Sequence, residues 1–524
     1  MPVTPIYGLP YPVLMDPPNG PAQFKALAEA TEAMAVNHLV KKGDVFVNVA
    51  DYGAIADGVT NNSGSIQSAI DNAPSGATLY FPPGNYVSNS QININKPLTI
   101  LGYGATLSTT STNIAQLNVT ASDVTILGLR IVGAGGSYVS GSHGIKAVGS
   151  SWATPLRNLT IRDVEVSDQK FRGIYVQYAR GVHIDNCFVR NIVYSGIGFW
   201  SVQEGSITNC RIQNITNSGY VNNNAYGIEL SRNSTGSLST DPRTQDIAVI
   251  GNLVTDVPTW EGIDTHAGQR LRIIGNTVLR CNYGIAIVGG NGTDGTPAYA
   301  PIDVLVANNT VHSGVSDGSR LAGIQFAGAT SGGTAREYAR GAVIGNTVIN
   351  HGNDAGGSSY QGAIRCHTSR GLAVSNNLII EPAVVGINFV VNNIAFVCQG
   401  NMIFESWANA FSTTASIICR DGGNVGQVIG NIHRPTGAKT ASVKNHRGLW
   451  VANDTNTQVE IHGNFFNTTL PLVGPNAIFW GVFDQRTSIQ PTNRTVSGST
   501  GGNAALQQLL QILANYGLIV NSST

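Results

Sequence analysis

Residues 45–89, VFVNVADYGAIADGVTNNSGSIQSAIDNAPSGATLYFPPGNYVSN, set the frame in which the rest of the chain is read. Within them, Ser65 to Ala73 has a helix signature, with Ile66 and Ile70 on one face. A Gly-rich lead-in precedes it, and a Pro-Pro-Gly turn at Pro82, Pro83 and Gly84 opens onto alternating apolar residues. This is the pattern of a helical cap followed by a first strand.

Downstream, from about residue 97 to 467, the chain repeats itself. Gly-Ile followed by alternation recurs as GIKAV at 144, GIYVQ at 173, GIGFW at 196, GIELS at 227, GIDTH at 262, GIAIV at 284, GIQFA at 323 and GINFV at 386, with GAIRCH at 362 as a variant. Between 173 and 284 the starts differ by 23, 31, 35 and 22 residues, the length of solenoid coils with variable loops. A second unit ends in Asn at positions 186, 209, 252, 276, 309, 346, 377 and 401. Asn tolerates the left-handed backbone, so these residues are expected to turn a corner on each coil and to stack in a ladder.

Side chains alternate across a strand, so if each Ile of Gly-Ile points inward, the residue two further on does too. Those residues are Ala147, Val176, Phe199, Leu230, Thr265, Ile287, Phe326, Cys366 and Phe389, an almost wholly apolar column. Outward columns then follow: Lys146, Tyr175, Gly198, Glu229, Asp264, Ala286, Gln325, Arg365 and Asn388, and beside them Gln177, Trp200, Ser231, His266 and His367.

Composition bounds the partners. Only 11% of residues are charged, with 30 basic and 30 acidic residues balancing to zero, against 62 glycines. That leaves no electrostatic footprint for nucleic acid or an anionic membrane. No run of about 18 apolar residues exists, and MPVTPIYGLP lacks a secretory pattern, so neither membrane insertion nor Sec export is expected. The six cysteines lack metal spacing and read as free buried thiols.

The acids are concentrated. Glu229 and Asp264 occupy successive Gly-Ile strands, Glu261 precedes its glycine, and His266 shares the strand with Asp264. Carboxylates one rung apart lie roughly 5 to 8 Å from each other, a separation at which one can protonate a glycosidic oxygen while another activates water or attacks the sugar. Tyr175, Trp200, Tyr226, Trp260 and Tyr283 surround them, and aromatic rings suit the flat apolar faces of sugars. The bland alternative is a solvated β-helix surface. Gly289 to Gly295 resembles a calcium loop by composition only, and no cofactor or metal is expected.

The cap, through Asp51-Tyr52-Gly53-Ala54, Asp57-Gly58-x-Thr60, Gln67-x-Ala69-Ile70 and Phe81-Pro82-Pro83-Gly84-x-Tyr86, resembles that of the pectate-lyase-like right-handed parallel β-helix superfamily, which includes pectin-degrading enzymes and bacteriophage tailspikes. The resemblance implies an all-β fold, a right-handed single-stranded parallel β-helix with short N- and C-terminal helices. Tyr7-Gly8-Leu9-Pro10-Tyr11-Pro12 and Asp16 to Pro21 look like the start of tail proteins from phages of actinobacteria. The expected organisation is an attachment and oligomerisation segment at 1–44 with a helix from Pro21 to about Leu39, a cap at 45–96, the β-helix at 97–467, and a C-terminal region at 468–524 closing in a helix around 503–513. The apolar stripes of the terminal helices need partners, and with the resemblance they point to a homotrimer. In phage tailspike endoglycosidases a Glu on one coil and two acids spaced i, i+3 on the next form the site; Glu229, Glu261 and Asp264 are similar, with Glu in place of one Asp. The implied protein is a virion tail component that binds, and hydrolyses, a host cell-surface polysaccharide, joined to other tail or baseplate proteins by its N-terminal segment. A non-catalytic receptor-binding or structural tail protein and a polysaccharide lyase are the alternatives.

Overall fold

The computed structural model describes residues 45–479 apart from the segments 221–223, 234–235, 290–298, 315–319, 332–333, 353–360, 406–413, 436–445, 452–455, 467–469 and 474–476, together with two short strands at Thr495–Val496 and Val520–Asn521. The helices expected at Pro21 to Leu39 and at 503–513 lie outside the described residues.

A helix at Ser63–Asn72 buries Ile66, Ala69 and Ile70 completely. It stands where the cap was expected, and from Phe46–Asn48 onward strands pair in parallel, each with its counterpart one coil later, as far as Ala477–Phe479. This is a parallel β-helix: among the described residues 42 strands join one continuous sheet that coils without closing as a barrel. Some strands run through a corner without a break. Arg172–Asp185 bends at two residues in the left-handed region, Tyr178 and Gly181, Ser195–Thr208 at Ser201 and Glu204, and Leu253–His266 at Asp256.

The register follows the Gly-Ile units. Ile145, Ile174, Ile197, Ile228, Ile263, Ile285, Ile324, Ile364 and Ile387 pair coil to coil and have no exposed surface. All nine residues of the expected inward column are likewise fully buried. Thr265 is accommodated because its hydroxyl donates to the Leu230 carbonyl at 2.7 Å. The glycines are there for space: a Cβ on Gly196 or Gly227 would come within 2.7 Å of the next coil's backbone carbonyl.

The Asn column forms, one residue out of phase with the expectation. At most coils the left-handed residue is the one before it, Gly251, Gly275, Asn308, Gly345, Asn376 or Gly400. That turn swings the following Asn inward, where Asn252, Asn276, Asn309, Asn346, Asn377, Asn401, Asn431 and Asn464 stack. From Asn276 onward each Oδ1 accepts from both the backbone N–H and the Nδ2 of the Asn one coil earlier, as Asn309 does from Asn276 at 2.8 and 2.9 Å. Asn186 and Asn209 are themselves left-handed, so Cys187 and Cys210 occupy the ladder there. All six cysteines are free and buried, as expected.

Candidate active site

Parallel register places the acids before any side-chain geometry is considered. Glu229 of Tyr226–Ser231 pairs with Asp264 of Leu253–His266, Gly198 precedes Glu229 on the coil before, and Ala286 follows Asp264 on the coil after. Two carboxylates on adjacent rungs are thus bracketed by the two smallest side chains of their column. A Cβ on Gly198 would sit 3.4 Å from Glu229 Oε2. Glu261 lies one outward position upstream of Asp264, stacked between Tyr226 and Tyr283. Glu261, Asp264 and His266 offer atoms within 4.8 Å of one another, close enough to share a proton or to hold a divalent cation.

Pointing away from the core does not expose these side chains. Asp264 is 0% exposed, and Glu229 and Glu261 are almost as deeply buried. Neither oxygen of Asp264 has a hydrogen-bond partner, nor do Glu229 Oε2 and Glu261 Oε2. His266 Nε2 stands 3.5 Å from Asp264 Oδ2, with 38% of the imidazole side chain open to solvent. Burial raises the pKa of all three acids. For Asp264 the negative charges of Glu261 and Glu229 push further in the same direction, whereas for Glu229 the positive charge of Arg172 pulls back. Burial lowers the pKa of His266, favouring a neutral ring. The arrangement favours protonation of the Glu261 and Asp264 pair, and the Arg172 charge draws Glu229 back toward ionisation.

Aromatic side chains build the walls. Tyr226 packs edge-on against His266 at 6.4 Å between centroids, Trp260 against Tyr283 at 5.6 Å, and Tyr175 against Trp200 at 6.0 Å. Tyr175 and Tyr226 are buried, so they wall the acids, while Trp200, Trp260 and Tyr283 remain partly open. All nine residues expected at the site lie on five successive coils, from Tyr175 to Tyr283. Arg365, three rungs beyond Asp264, lies about 14 Å away along the axis.

Sequence reasoning overlooked Arg172, Tyr194, Tyr138 and Tyr220. Arg172 occupies the position before its glycine, in the same column as Ser195, Tyr226 and Glu261. The position before each glycine is a column of its own, and in it Arg172 carries the same kind of signal as Glu261. Tyr138 and Tyr220 come from inserted loops that meet over the groove, with their rings 4.8 Å apart and Tyr138 N–H donating to the Ser218 carbonyl.

Residues 46–286 match the family model described as rhamnogalacturonase A/epimerase, pectate lyase-like, a span that contains all four of Glu229, Glu261, Asp264 and His266. The fold is thus a right-handed parallel β-helix, and its matched span is similar to the pectate-lyase-like family. Among solved structures, the catalytic unit of a GH87 α-1,3-glucanase from Streptomyces thermodiastaticus is similar at 13% identity and a TM-score of 0.50, over 80% of this chain and 68% of the other. Gene product 12 of bacteriophage phi29, in its pre-mature form, aligns at 15% identity and a TM-score of 0.53, over 86% of this chain and 57% of the other. The Dettilon tailspike protein is a looser likeness, at 18% identity and 0.47, over 71% of this chain and 68% of the other. These are similarities of fold. No curated protein sequence matches the chain.

Proposed function

We propose that this protein is a phage tail spike or fibre that binds host cell-surface polysaccharide and hydrolyses it as an endo-acting glycosidase. The observation that carries the reading is the convergence of three buried carboxylates from adjacent coils, each with at least one oxygen that accepts no hydrogen bond, among aromatic side chains. Burying such groups without partners is costly, and folding gains nothing from it. A site that must hold a proton above the usual carboxylate range and deliver it to a glycosidic oxygen gains a great deal. In this scheme the Glu261 and Asp264 pair provides the acid, Glu229 acts as base or nucleophile, and His266 positions the Asp264 carboxyl. The aromatic walls and the space beside Gly198 and Ala286 receive the sugar.

Support for the tail assignment comes from the opening residues, which resemble those of phage tail proteins, and from a coil shared with a phage gene product. The virion location, the homotrimer, the attachment role of residues 1–44 and the division at 45–96, 97–467 and 468–524 belong to the same proposal. Of the outward basic residues, Lys146 and Arg365 are each three rungs from the acid column, while Arg172 stands two rungs before the Glu229 strand, so the lyase alternative is decided by the product. Incubation with host envelope glycans should release reducing ends without an ultraviolet-absorbing unsaturated product. Binding without new reducing ends would leave a receptor-binding protein, and an unsaturated product would leave a lyase.

A further inference from the structure

One face of the coil changes its chemistry along the axis without changing its backbone. It is formed by the strands on either side of the asparagine corner, and the Gly-Ile strands that carry the acids are not part of it. In the early coils its outward columns are polar. Before the corner one column reads Arg162, Asp185 and Thr208, and beyond the corner another reads Arg190 and Gln213, with Arg190 paired to Glu165. From the coil of Ile250 onward the same columns turn apolar. The first continues as Ile250, Ile274, Ala307 and Ile344. The second continues through Leu279, His312, Ile349, Ile380 and Phe404. Ile250 and Met402 keep 38% and 40% of their surface exposed even though a rung stacks on each side of them.

Two further observations mark this strip as a contact surface. Its edges are charged: Arg270 pairs with Asp246 and Arg340 with Asp303 along one side, and Arg280 pairs with Asp256 on the other. An apolar patch inside a polar rim is the pattern of a protein interface. The strip is also kept clear. At every coil from Ile250 to Phe465 two residues separate the strands at the asparagine corner, so no described loop rises from that corner over the face. From Ile250 to Ile429 the strip runs about 30 Å along the axis and about 20 Å across, given the usual rung spacing and rise per residue. Whatever covers it must be straight and apolar over that length. A second copy of the coil offers the same strip with the same rung spacing. Two such strips would bury about 1,200 Å² together, above the roughly 1,000 Å² of a specific contact.

We infer that a second copy of this chain docks here, coil against coil, with the sheet that carries the acids left outside the contact. This rests on the homo-oligomer in the reading above and moves its main contact from the terminal helices to the coil itself. The test is sedimentation equilibrium of the full chain over a dilution series. Ile274→Thr, Ile344→Thr and Ile380→Thr are combined in one variant, since threonine already stands in these columns at Thr208 and Thr255. The dissociation constant should rise about a hundredfold or more while circular dichroism is unchanged. Ile344→Lys, a single change on the same strip, should loosen the assembly as well and guards against misfolding of the triple variant. Gln213→Ala, on the polar stretch of the same face, should leave the constant alone, and a loosening equal to that of the threonine variant overturns the assignment. A parent-like constant in both strip variants overturns the face while leaving an assembly held by other segments. A parent chain that is monomeric throughout the series overturns both.

Discussion

At one corner of the coil, eight asparagines from Asn252 to Asn464 are buried as deeply as the core leucines, and their amides are satisfied on both sides, to the next rung and to a backbone carbonyl. In the groove, Glu229, Glu261, Asp264 and Arg172 are buried to a similar depth with donors or acceptors unmatched. The same scaffold thus treats buried polar groups in two ways. Where the polar column is structural, every atom has a partner within the protein. In the groove the partners are missing from the protein itself, so the natural candidates to supply them are outside it. Unmatched buried atoms occur elsewhere too, as at His351 Nε2 and Thr457 Oγ1; the groove differs in that its unmatched groups are carboxylates gathered on adjacent coils.

The largest effect should come from neutralising the groove. Glu229→Gln and Asp264→Asn should each lower the rate of reducing-end release by about a hundredfold to ten-thousandfold, the range for loss of a general acid or base. The melting temperature should not fall, because both changes remove a buried ionisable group. Parent-like cleavage in both variants would show that the acids are not the catalysts.

The corresponding change in the ladder should act on stability alone. Asn309→Ala removes the acceptor of the Asn276 N–H and Nδ2, together with donors to Asn346 and the Ile273 carbonyl. Several buried groups lose partners at once, and a loss of about 3 kcal/mol is expected from the cost of one to three unsatisfied groups. Chemical denaturation followed by circular dichroism measures it, with cleavage per folded molecule unchanged. A ladder variant that kept its stability but lost activity would dissolve the distinction between the two columns.

A smaller effect, of opposite sign in the two columns, comes from pH. The groove acids have folded-state pKa values raised above their ordinary 3.8 and 4.5. The folded state therefore holds protons that the unfolded chain has released, and stability falls as pH rises from the ordinary values through the raised ones. Asp264→Asn should be neutral below about pH 4 and stabilising at pH 8, by about 1–3 kcal/mol if the relieved cost is that of an unsatisfied buried group. Asn309→Ala should destabilise equally at both pH values, since no ladder Asn titrates. A parallel gain for Asp264→Asn at pH 4 and pH 8 would mean that the carboxyl is not protonated by its surroundings.

The coil and its register were legible because alternation and the Gly-Ile spacing are local. Ile228 and Ile263 had to face inward once Leu230 and Thr265 did, and that put Glu229 beside Asp264. The ladder was legible as a column but shifted by a residue, since both Gly and Asn tolerate the left-handed turn and the sequence does not say which of Gly275 and Asn276 adopts it. Burial of the groove was not legible. Tyr138 and Tyr220, carried by inserted loops, meet there and pack on Phe171 and Tyr194, and no periodicity in either loop announces that contact. Arg172 was hidden for the same reason, because an arginine before a glycine looks solvent-facing until Phe171 and Tyr194 are known to fold over it.

The smallest effect lies at the end of the ladder, where the column passes from asparagine to cysteine. Cys210 N–H donates to Asn252 Oδ1 at 2.9 Å, so the asparagine rungs begin there, yet on its other side only a thiol faces Cys187 N–H, at 3.5 Å. The backbone of an asparagine rung is already present. Asn209 supplies the left-handed turn that Gly251 gives Asn252, and the Ile184 carbonyl, 3.9 Å from Cys210 Sγ, stands where Ile207 receives Asn252 Nδ2. An asparagine at 210 could donate Nδ2 to Asn252 Oδ1 and to Ile184, and accept from Cys187 through Oδ1, replacing weak sulfur contacts with amide hydrogen bonds. Cys210→Asn is thus expected to raise stability by about 1 kcal/mol, read as a small upward shift in melting temperature, with cleavage unaltered. If it destabilises instead, the cavity at this coil is sized for sulfur, and the ladder stops at Asn252 because of volume and not because of hydrogen bonding.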